Sequence, residues 1–296
     1  MCMQSQVSCN RYNIVDTSSI RQIKECLYSC AWLIACKNKE RGCLFWRKKK
    51  SPMIQVKNLY KVYKVGNTKV YALNGVDFTI YKGEFCAIVG PSGSGKSTLL
   101  NMLAGLEKPS KGEIVIGGNH IEKLSENQLV SFRRKHVGFI FQSYNLLQTM
   151  NAVENVAMPL SFRGVPKKTR NEKAKEYIKL VGLEKQMKHM ANEMSGGQQQ
   201  RVGIARALAV DPKIIFADEP TGNLDSKTTR EILSLMQKIV REQNQTLVMV
   251  THDNYIAKFA DRQFHIVDGK IVKIEEQHHE EQHHEVTKED MGYEEG

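Results

Sequence analysis

The sequence predicts an α/β fold with a mainly parallel central sheet that helices cover on both faces. Short apolar segments typical of buried strands alternate with longer segments of helical pattern between residues 85 and 250. Parallel sheets bury both faces, because each crossover helix packs back on the sheet. A glycine-rich segment stands between the first of these strands and the next helix, where folds of this class bind ligands.

The glycine-rich segment has the spacing of a phosphate-binding loop. It follows a predicted strand over residues 85–89 and precedes a predicted helix over residues 99–104. Glycines let several backbone N–H groups point at one centre, and the helix N-terminus adds partial positive charge. The spacing assigns Lys96 to the β- and γ-phosphates and the Ser97 hydroxyl to Mg²⁺. The predicted loop is Gly90, Pro91, Ser92, Gly93, Ser94, Gly95, Lys96, Ser97 and Thr98.

Short strands around this loop predict an antiparallel β subdomain. Residues 53–56 have strand character, and residues 76–80 alternate between apolar and polar side chains. The pair Asn74-Gly75 predicts a turn before the second of these strands. A third strand over residues 112–118 ends in a glycine turn.

The rest of the chain alternates between helices and strands. Residue 125 begins a helix with a capping-box pattern, and residues 226–242 form another. A polar, lysine-rich region with helical pattern predicts an inserted α-helical subdomain over about 143–210. The predicted strands are 137–141, 213–217, 246–250, 263–267 and 271–274.

Polar residues follow three of the predicted parallel strands. Gln142, the pair Asp218 and Glu219, and His252 each stand where an apolar strand ends. The carboxyl ends of parallel strands meet at one sheet edge. We therefore expect these side chains beside the glycine-rich loop.

Composition limits the classes of partner. The 296 residues carry a formal net charge of +11, which suits a nucleotide, an anionic membrane face or a nucleic acid without choosing among them. Six of the seven cysteines lie within residues 1–52, so the body has no disulfide framework and fits a reducing cytoplasm. No apolar run reaches the length that spans a bilayer.

Both ends of the chain differ from the body. Residues 1–52 are basic and cysteine-containing, and we interpret them as a disordered or untranslated extension before a working start at Met53. Lipid contact and weak metal binding are the alternatives. Residues 275–296 form an acidic, low-complexity tail, interpreted as solvated, whose histidines offer weak Zn²⁺ or Ni²⁺ ligands. These are His278, His279, His283 and His284. The predicted central domain is therefore 53–274.

Taken together, the central domain resembles the nucleotide-binding subunit of ABC transporters, which are P-loop NTPases. The resemblance rests on several motifs in the expected order, one of which, the signature, has Met194 where leucine is commonest. These motifs are the loop at 90–98, Gln142, the signature Met194-Ser195-Gly196-Gly197-Gln198, the pair Asp218-Glu219, Asn223-Leu224-Asp225, and His252.

The resemblance implies a role for each motif. Tyr63 would stack on adenine, with Tyr60 as the neighbouring alternative. Asp218, with Ser97 and Gln142, would hold Mg²⁺. Glu219 would act as general base on the attacking water, and His252 would contact the γ-phosphate and hold Glu219 in line.

The resemblance also implies a dimer. Ser195, Gly196, Gly197 and Gln198 would bind the γ-phosphate of ATP held on the loop of a partner subunit. Asp225 would then lie near the dimer seam. The pair can be a homodimer or a heterodimer of ABC ATPase subunits.

Within the ABC family, two segments of this sequence resemble the group of ATPases that serves lipoprotein release and macrolide export. They are residues 133–142 and 218–226. We expect a peripheral ATPase on the cytoplasmic face of the membrane. It would drive a separate integral permease for export or extraction of a lipophilic or peptide substrate. We expect no nucleic acid partner. The permease would dock near residues 142–154, where Tyr144, Leu146 and Leu147 are either surface anchors or local core. Control of cell-wall enzymes through a permease-like partner, and a soluble ATPase acting on nucleic acid, are the alternatives.

Overall fold

The computed structural model describes residues 51–277 of the chain. The predicted extension over residues 1–52, apart from its last two residues, lies outside the described residues. The same holds for the predicted tail after residue 277, including its four histidines. No helix in the described part is both long and apolar enough to cross a membrane.

One layer of the fold is a four-stranded antiparallel sheet. Its strands are β1 (Pro52–Val65), β2 (Thr68–Tyr81), β4 (Lys111–Ile116) and β5 (Asn119–His120). They lie in the order β2-β1-β4-β5. The predicted antiparallel β region is therefore confirmed.

The turn predicted at Asn74-Gly75 is wrong. β2 continues through both residues, and the register against β1 shifts between the pairs Leu59–Val76 and Tyr60–Asn74. Gly75 is the extra residue of this bulge, with φ 71°. A Cβ at Gly75 would lie 3.0 Å from the Tyr60 hydroxyl oxygen, so packing against β1 accounts for the glycine.

The central layer is a six-stranded sheet. Its strands are β3 (Phe85–Val89), β6 (Val137–Phe141), β7 (Ile214–Asp218), β8 (Thr246–Thr251), β9 (Arg262–Val267) and β10 (Lys270–Glu276). They lie in the order β10-β9-β3-β8-β7-β6, and every pair is parallel except β9 with β10. The mainly parallel sheet expected from the sequence is confirmed.

Helices and short 3-10 turns connect these strands. The helices are α1 (Lys96–Leu103), α2 (Glu126–His136), α3 (Ala152–Ser161), α4 (Lys167–Leu180), α5 (Gly196–Leu208), α6 (Ser226–Gln243) and α7 (Asn254–Ala257). The 3-10 turns are Ile121–Lys123, Glu184–Gln186 and Ala191–Glu193. The capping box predicted at Ser125 is confirmed, because its hydroxyl accepts the Gln128 N–H and the Gln128 side chain accepts the Ser125 N–H.

The central sheet separates two apolar cores. Phe85, Ala87 and Val89 of β3 face one core, which contains buried side chains of α3, α4, α5 and α6. Cys86 and Ile88 of the same strand face the other, which contains α1, α2 and the antiparallel sheet. This alternation follows from the two-residue period of a strand, and it explains why β3 is apolar at every position.

A buried asparagine holds the segment between β6 and α3. Asn155 has no exposed surface. Its Oδ1 accepts the Leu147 N–H at 2.8 Å, and its Nδ2 donates to the carbonyl oxygens of Leu147, Met150 and Asn151 at 3.1, 2.9 and 3.1 Å. The side chain thus satisfies the Leu147 N–H and the Met150 carbonyl oxygen, and it adds a second hydrogen bond to the carbonyl oxygens of Leu147 and Asn151, which already accept backbone N–H groups.

We predict that Asn155→Ala lowers the free energy of unfolding by about 2 kcal/mol, because it removes the hydrogen-bond partner of the Leu147 N–H and of the Met150 carbonyl oxygen. Urea denaturation measures the change. Asn192→Ala, at an exposed position, is the matched control and should stay within about 0.5 kcal/mol of the parent. Equal stability of the two variants would contradict the role of Asn155.

Candidate active site

The register of four neighbouring strands brings their carboxyl ends to one level. Val89 of β3 pairs with Thr251 of β8. Asp218 of β7 pairs with Val250 on one side and with Phe141 of β6 on the other. The residues that follow these strand ends include Gly90, Gln142, Glu219 and His252. The sheet edge predicted from sequence is therefore where these residues lie.

The glycine-rich loop curls at the start of α1. Lys96, its first helical residue, donates from Nζ to the Pro91 carbonyl oxygen at 2.7 Å across the loop. Gly95 has φ 100°, and a Cβ there would lie 2.3 Å from the Ala72 carbonyl oxygen of β2. Only glycine, which has no Cβ, fits so close to β2. The turn at Gly95 leads directly into α1, whose first N–H groups have no partner within the helix.

A pocket of about 480 Å³ opens between this loop and the strand ends. Glu219 and His252 line it on one side and the loop on the other. Its remaining lining residues are Ala72, Ser92, Gly93, Gly95, Lys96, Ser97 and Thr98. Backbone N–H groups and one ammonium on one wall, with a carboxylate and an imidazole opposite, suit a polyphosphate and an attacking water.

Two carboxylates on β7 and the following loop differ in environment. Burial raises the pKa of Asp218, the neighbouring Glu219 charge adds to the rise, and Lys96 opposes it. Glu219 has φ 43° immediately before Pro220, a conformation costly for a residue with a side chain. Its N–H donates to the Val250 carbonyl oxygen at 3.0 Å, and its Oε1 lies 2.8 Å from Nδ1 of His252.

The predicted signature residues lie elsewhere in the chain. Ser195 is the exposed N-cap of α5, and its Oγ accepts the Gln198 N–H at 3.3 Å. A Cβ at Gly196 or Gly197 would meet Tyr144 or Thr228 respectively. None of the residues lining the pocket beside the glycine-rich loop comes from this segment. The signature segment therefore takes no part in lining that pocket.

Asp225 is the N-cap residue of α6, the helix next to the signature. Its side chain accepts the N–H groups of Lys227 and Thr228 at 3.0 Å each and the Thr228 hydroxyl at 2.6 Å. These bonds, those from Thr228 foremost, lower the pKa of Asp225. Because Thr228 also contacts the Gly197 position, Asp225 and the signature form one surface.

Comparison with known proteins decides the family. A family model described as ABC transporter matches residues 73–222, about half of the chain. An uncharacterised ABC transporter ATP-binding protein of Thermotoga maritima is 48% identical over 223 residues, which cover 75% of this chain and 95% of that protein. The chain belongs to the ABC transporter family.

Two further relatives extend the comparison. The cassette MJ0796 of Methanocaldococcus jannaschii, solved as a dimer, superposes with a TM-score of 0.70 at 45% identity, covering 76% of this chain and 98% of that one. The macrolide export ATP-binding/permease protein MacB of Chlorobium phaeobacteroides is 48% identical over 225 residues, 76% of this chain but 34% of that protein. The P-loop NTPase fold and the macrolide-export group expected from sequence are confirmed. The chain is an ATP-binding subunit and an ATPase.

Gln142 of this ABC subunit lies against the loop after Glu219. A Cβ at Gly222 would be 2.7 Å from Gln142 Nε2. The Asn223 side chain donates to the Gln142 carbonyl oxygen at 3.1 Å. Gln142 is not among the residues that line the pocket of the P-loop, so its predicted contact with Mg²⁺ and water stays a prediction.

The two candidate adenine-stacking tyrosines have different neighbours. Tyr63 is 37% exposed, and its hydroxyl group interacts with the Thr98 side chain at the start of α1. Tyr60 lies against Gly75 and under the Lys111 ammonium, and neither of these neighbours belongs to the loop. Tyr63 is therefore the tyrosine beside the P-loop, although its contact with adenine stays a prediction.

The residues predicted to hold Mg²⁺ fit that ion. Burial, and next the charge of Glu219, raise the pKa of the Asp218 carboxylate. Ser97 supplies a hydroxyl to the lining of the pocket beside the P-loop, and Asp218 is not among the residues that line it. The described residues contain no cluster of three or more His, Cys, Asp or Glu that would form a metal cage. Few protein ligands are what Mg²⁺ needs, because it keeps water and binds phosphate oxygens.

Sequence reasoning missed two buried polar residues near the site. Gln200 of α5 is fully buried, and its Nε2 donates to the Pro220 carbonyl oxygen, which ties the signature helix to the loop after Glu219. Arg206 is also buried, and its guanidinium donates to the carbonyl oxygens of Tyr144 and Asn145. A lone charge between apolar residues 202–205 and 207–210 was the available signal.

We predict that Asp218→Asn stabilises the nucleotide-free protein at pH 7, raising Tm by about 2–4 °C. A pKa raised above the ordinary 3.8 means that the folded state binds the proton more tightly, so stability falls as pH rises through the folded pKa. The gain should shrink as pH is lowered toward 4. Scanning calorimetry in Mg²⁺-free buffer measures it.

Asp225→Asn is the contrasting variant. The pKa of Asp225 is lowered, so its contribution is present above 3.8 and is lost as pH falls through the folded pKa. This variant should lose stability at pH 7. If both variants raised Tm at pH 7, or both lowered it, the opposite pKa shifts assigned to Asp218 and Asp225 would be contradicted.

Proposed function

We propose that this chain hydrolyses ATP with Mg²⁺ as one subunit of a closed dimer and thereby drives a separate membrane permease. One observation carries the proposal: Lys96, Glu219 and His252 line one pocket beside the N-terminus of α1. Lys96 and the loop N–H groups would bind the phosphates of the substrate.

Glu219 is suited to activate the attacking water. Its Oε1 is 2.8 Å from His252 Nδ1, and its side chain is a quarter exposed at the pocket wall. His252 is more exposed than Glu219, so its other ring nitrogen is open to contact a γ-phosphate oxygen. His252 would thus hold the Glu219 general base in position for the water that attacks the γ-phosphate.

Mg²⁺ would be held by Ser97 and Asp218, with Gln142 joining when its side chain leaves Gly222. When bound, the ion neutralises charge on the β- and γ-phosphates. Lys96 adds a positive charge on the protein side of the same phosphates. Movement of Gln142 would report the state of the site to the helical subdomain.

A head-to-tail dimer would complete the site. The N–H groups that begin α5 would form an anion site, and no residue of the signature lines the pocket beside the chain's own P-loop. The dimeric cassette of Methanocaldococcus jannaschii, solved also with ADP and Pi bound, supports this arrangement. The partner is a second copy or a related ATPase subunit, with Asp225 near the seam.

We predict that Glu219→Gln lowers kcat about 10²- to 10⁴-fold, because an amide cannot act as general base, while ATP binding persists. The variant should then accumulate as an ATP-bound dimer, measured by size-exclusion chromatography with light scattering. Glu242→Gln, on the exposed surface of α6, is the control. Parent-like turnover by Glu219→Gln would refute the role of general base, and a monomer with ATP would refute the bridging by nucleotide.

An apolar groove of about 740 Å³ is the proposed docking site for the permease. Leu106, Val130 and Phe162 on its rim are 50, 51 and 65% exposed. Exposed apolar groups of this size around one groove indicate a protein partner. Of the segment 142–154 predicted from sequence, Asn145 lines the groove.

The sequence left two interpretations open for the apolar residues of this segment, surface anchors or local core. Leu146 is only 8% exposed and belongs to the core, so the second interpretation holds for it. Tyr144 is half-buried and packs on the same core, whereas Leu147 is 42% exposed. The loop turns Leu146 inward because Asn155 bonds both backbone groups of Leu147.

Charge at the groove favours an acidic, apolar segment of the permease. Arg133, Arg134 and Arg206 line it, and no Asp or Glu does among the described residues. Each of these guanidinium groups donates to backbone carbonyl oxygens, namely those of Gly105, Phe162, Tyr144 and Asn145. A carboxylate from the permease would complete the pairing of these charges.

Relatives support export or extraction of a lipophilic or peptide substrate. Several are named macrolide export proteins, in which one polypeptide carries both ATP-binding and permease parts. Here the permease would be a separate polypeptide, with the ATPase held on the cytoplasmic face of the membrane. No nucleic acid partner is proposed.

We predict that Phe162→Asp releases the chain from its permease, because it places a carboxylate where the apolar rim would be covered. The tagged chain is purified from gently solubilised membranes, and bound integral membrane proteins are identified by mass spectrometry. Val272→Asp, at a 61% exposed position of β10, is the matched control. Equal recovery of a permease with both variants would argue against this groove, and recovery of nucleic acid alone would refute the transporter role.

A further inference from the structure

Glu107 holds the hydroxyl group of Tyr63. The Tyr63 phenol donates to the two carboxylate oxygens of Glu107 at 2.8 and 2.9 Å. Glu107 follows α1 in the chain, and its backbone N–H donates to the Asn101 carbonyl oxygen at 3.3 Å. The contact therefore joins β1 to the C-terminal end of the helix that begins at the P-loop.

Lys61 completes the arrangement on one face of the ring. Its Nζ lies 2.8 Å from Glu107 Oε1 and 5.2 Å from the centre of the Tyr63 ring. It also donates to the Lys108 carbonyl oxygen at 2.8 Å. Because an ammonium covers one face of the ring, a planar ligand would have to stack on the opposite face.

The protonation state of Tyr63 suits this contact. Burial raises its pKa, the hydrogen bond to Glu107 adds to the rise, and the Thr98 side chain opposes it. The phenol therefore stays neutral at physiological pH and acts as donor to the carboxylate.

We infer that Glu107 is a positioning residue for ATP, fixing the Tyr63 ring so that one face receives adenine while Lys61 closes the other face. This inference rests on the proposed adenine contact of Tyr63. A tyrosine on the exposed part of a strand otherwise samples several rotamers and loses that freedom when a ligand binds.

The same contact sets the distance between base and phosphates. Thr98 stands at the start of α1 and Glu107 shortly after its end, and the side chains of both interact with the Tyr63 hydroxyl. The position of the Tyr63 ring is thus fixed relative to both ends of α1, the helix whose N-terminus faces the pocket. A nucleotide that fits the loop meets a base platform already in place.

The test measures ATP affinity by calorimetry and separates KM from kcat. Glu107→Ala and Tyr63→Phe each break the contact, the second without changing charge. Each should weaken ATP binding about three- to tenfold, the cost of ordering one side chain on binding, and raise KM with kcat unchanged. The double variant should be no weaker than either single variant, and Glu107→Gln should retain most of the affinity, since its amide oxygen accepts from the phenol.

Matched controls come from the same sheet. Glu113→Ala removes an exposed carboxylate of β4, and Tyr71→Phe removes the hydroxyl of a tyrosine 53% exposed on β2. Both should bind ATP as the parent does. An effect of Glu113→Ala equal to that of Glu107→Ala would assign the change to net charge and overturn the inference.

The variant Tyr63→Ala distinguishes the positioning role of Glu107 from the adenine contact of Tyr63. If it weakens ATP binding while Tyr63→Phe and Glu107→Ala do not, the positioning role is refuted and the adenine contact stands. If Tyr63→Ala binds ATP as tightly as the parent, the adenine contact itself is refuted. Additive effects in the double variant would show that Glu107 acts independently of Tyr63.

Discussion

The shared register of β3, β8, β7 and β6 is the constraint on which the site depends. Parallel pairing places Val89, Thr251, Asp218 and Phe141 at successive strand ends of one sheet edge. The residues that follow β7 and β8, Glu219 and His252, then direct their side chains to the pocket beside the loop before α1. A shift of one residue in any of these strands would turn its side chains to the opposite core and misplace the residue at its end.

Strain at Glu219 is a second consequence of that register. Its N–H still bonds β8 through the Val250 carbonyl oxygen, while the chain has to turn sharply into Pro220. The result is a φ of 43° in a residue that precedes proline. The side chain is thereby directed to His252, and Gln200 of α5 holds the Pro220 carbonyl oxygen from behind. The candidate base is thus fixed by contacts from a neighbouring strand and from the signature helix.

Most of the fold was predictable because its signals are local. Apolar runs marked β3, β7 and β8, and the capping pattern marked the start of α2. The turn predicted at Asn74-Gly75 was wrong, because pairing with β1 continues through both residues. The sequence could not choose between a surface and a core position for Leu146, because its burial depends on contacts with distant residues. The groove under Phe162 and the link from Glu107 to Tyr63 join segments far apart in sequence. The periodicity of a sequence cannot predict contacts between such distant segments. The residues of the candidate site could be predicted, because the spacing of their motifs places them at the ends of strands.

The separation of the P-loop from the signature surface at Ser195 and Asp225 has a genetic consequence. Where two copies of this chain pair head to tail, each composite site draws its loop from one copy and its signature from the other. A copy with a defective loop and a copy with a defective signature can then rebuild one intact site between them, beside one site that is defective twice. Lesions in the two motifs would therefore complement each other within a single gene, whereas two different loop lesions would not.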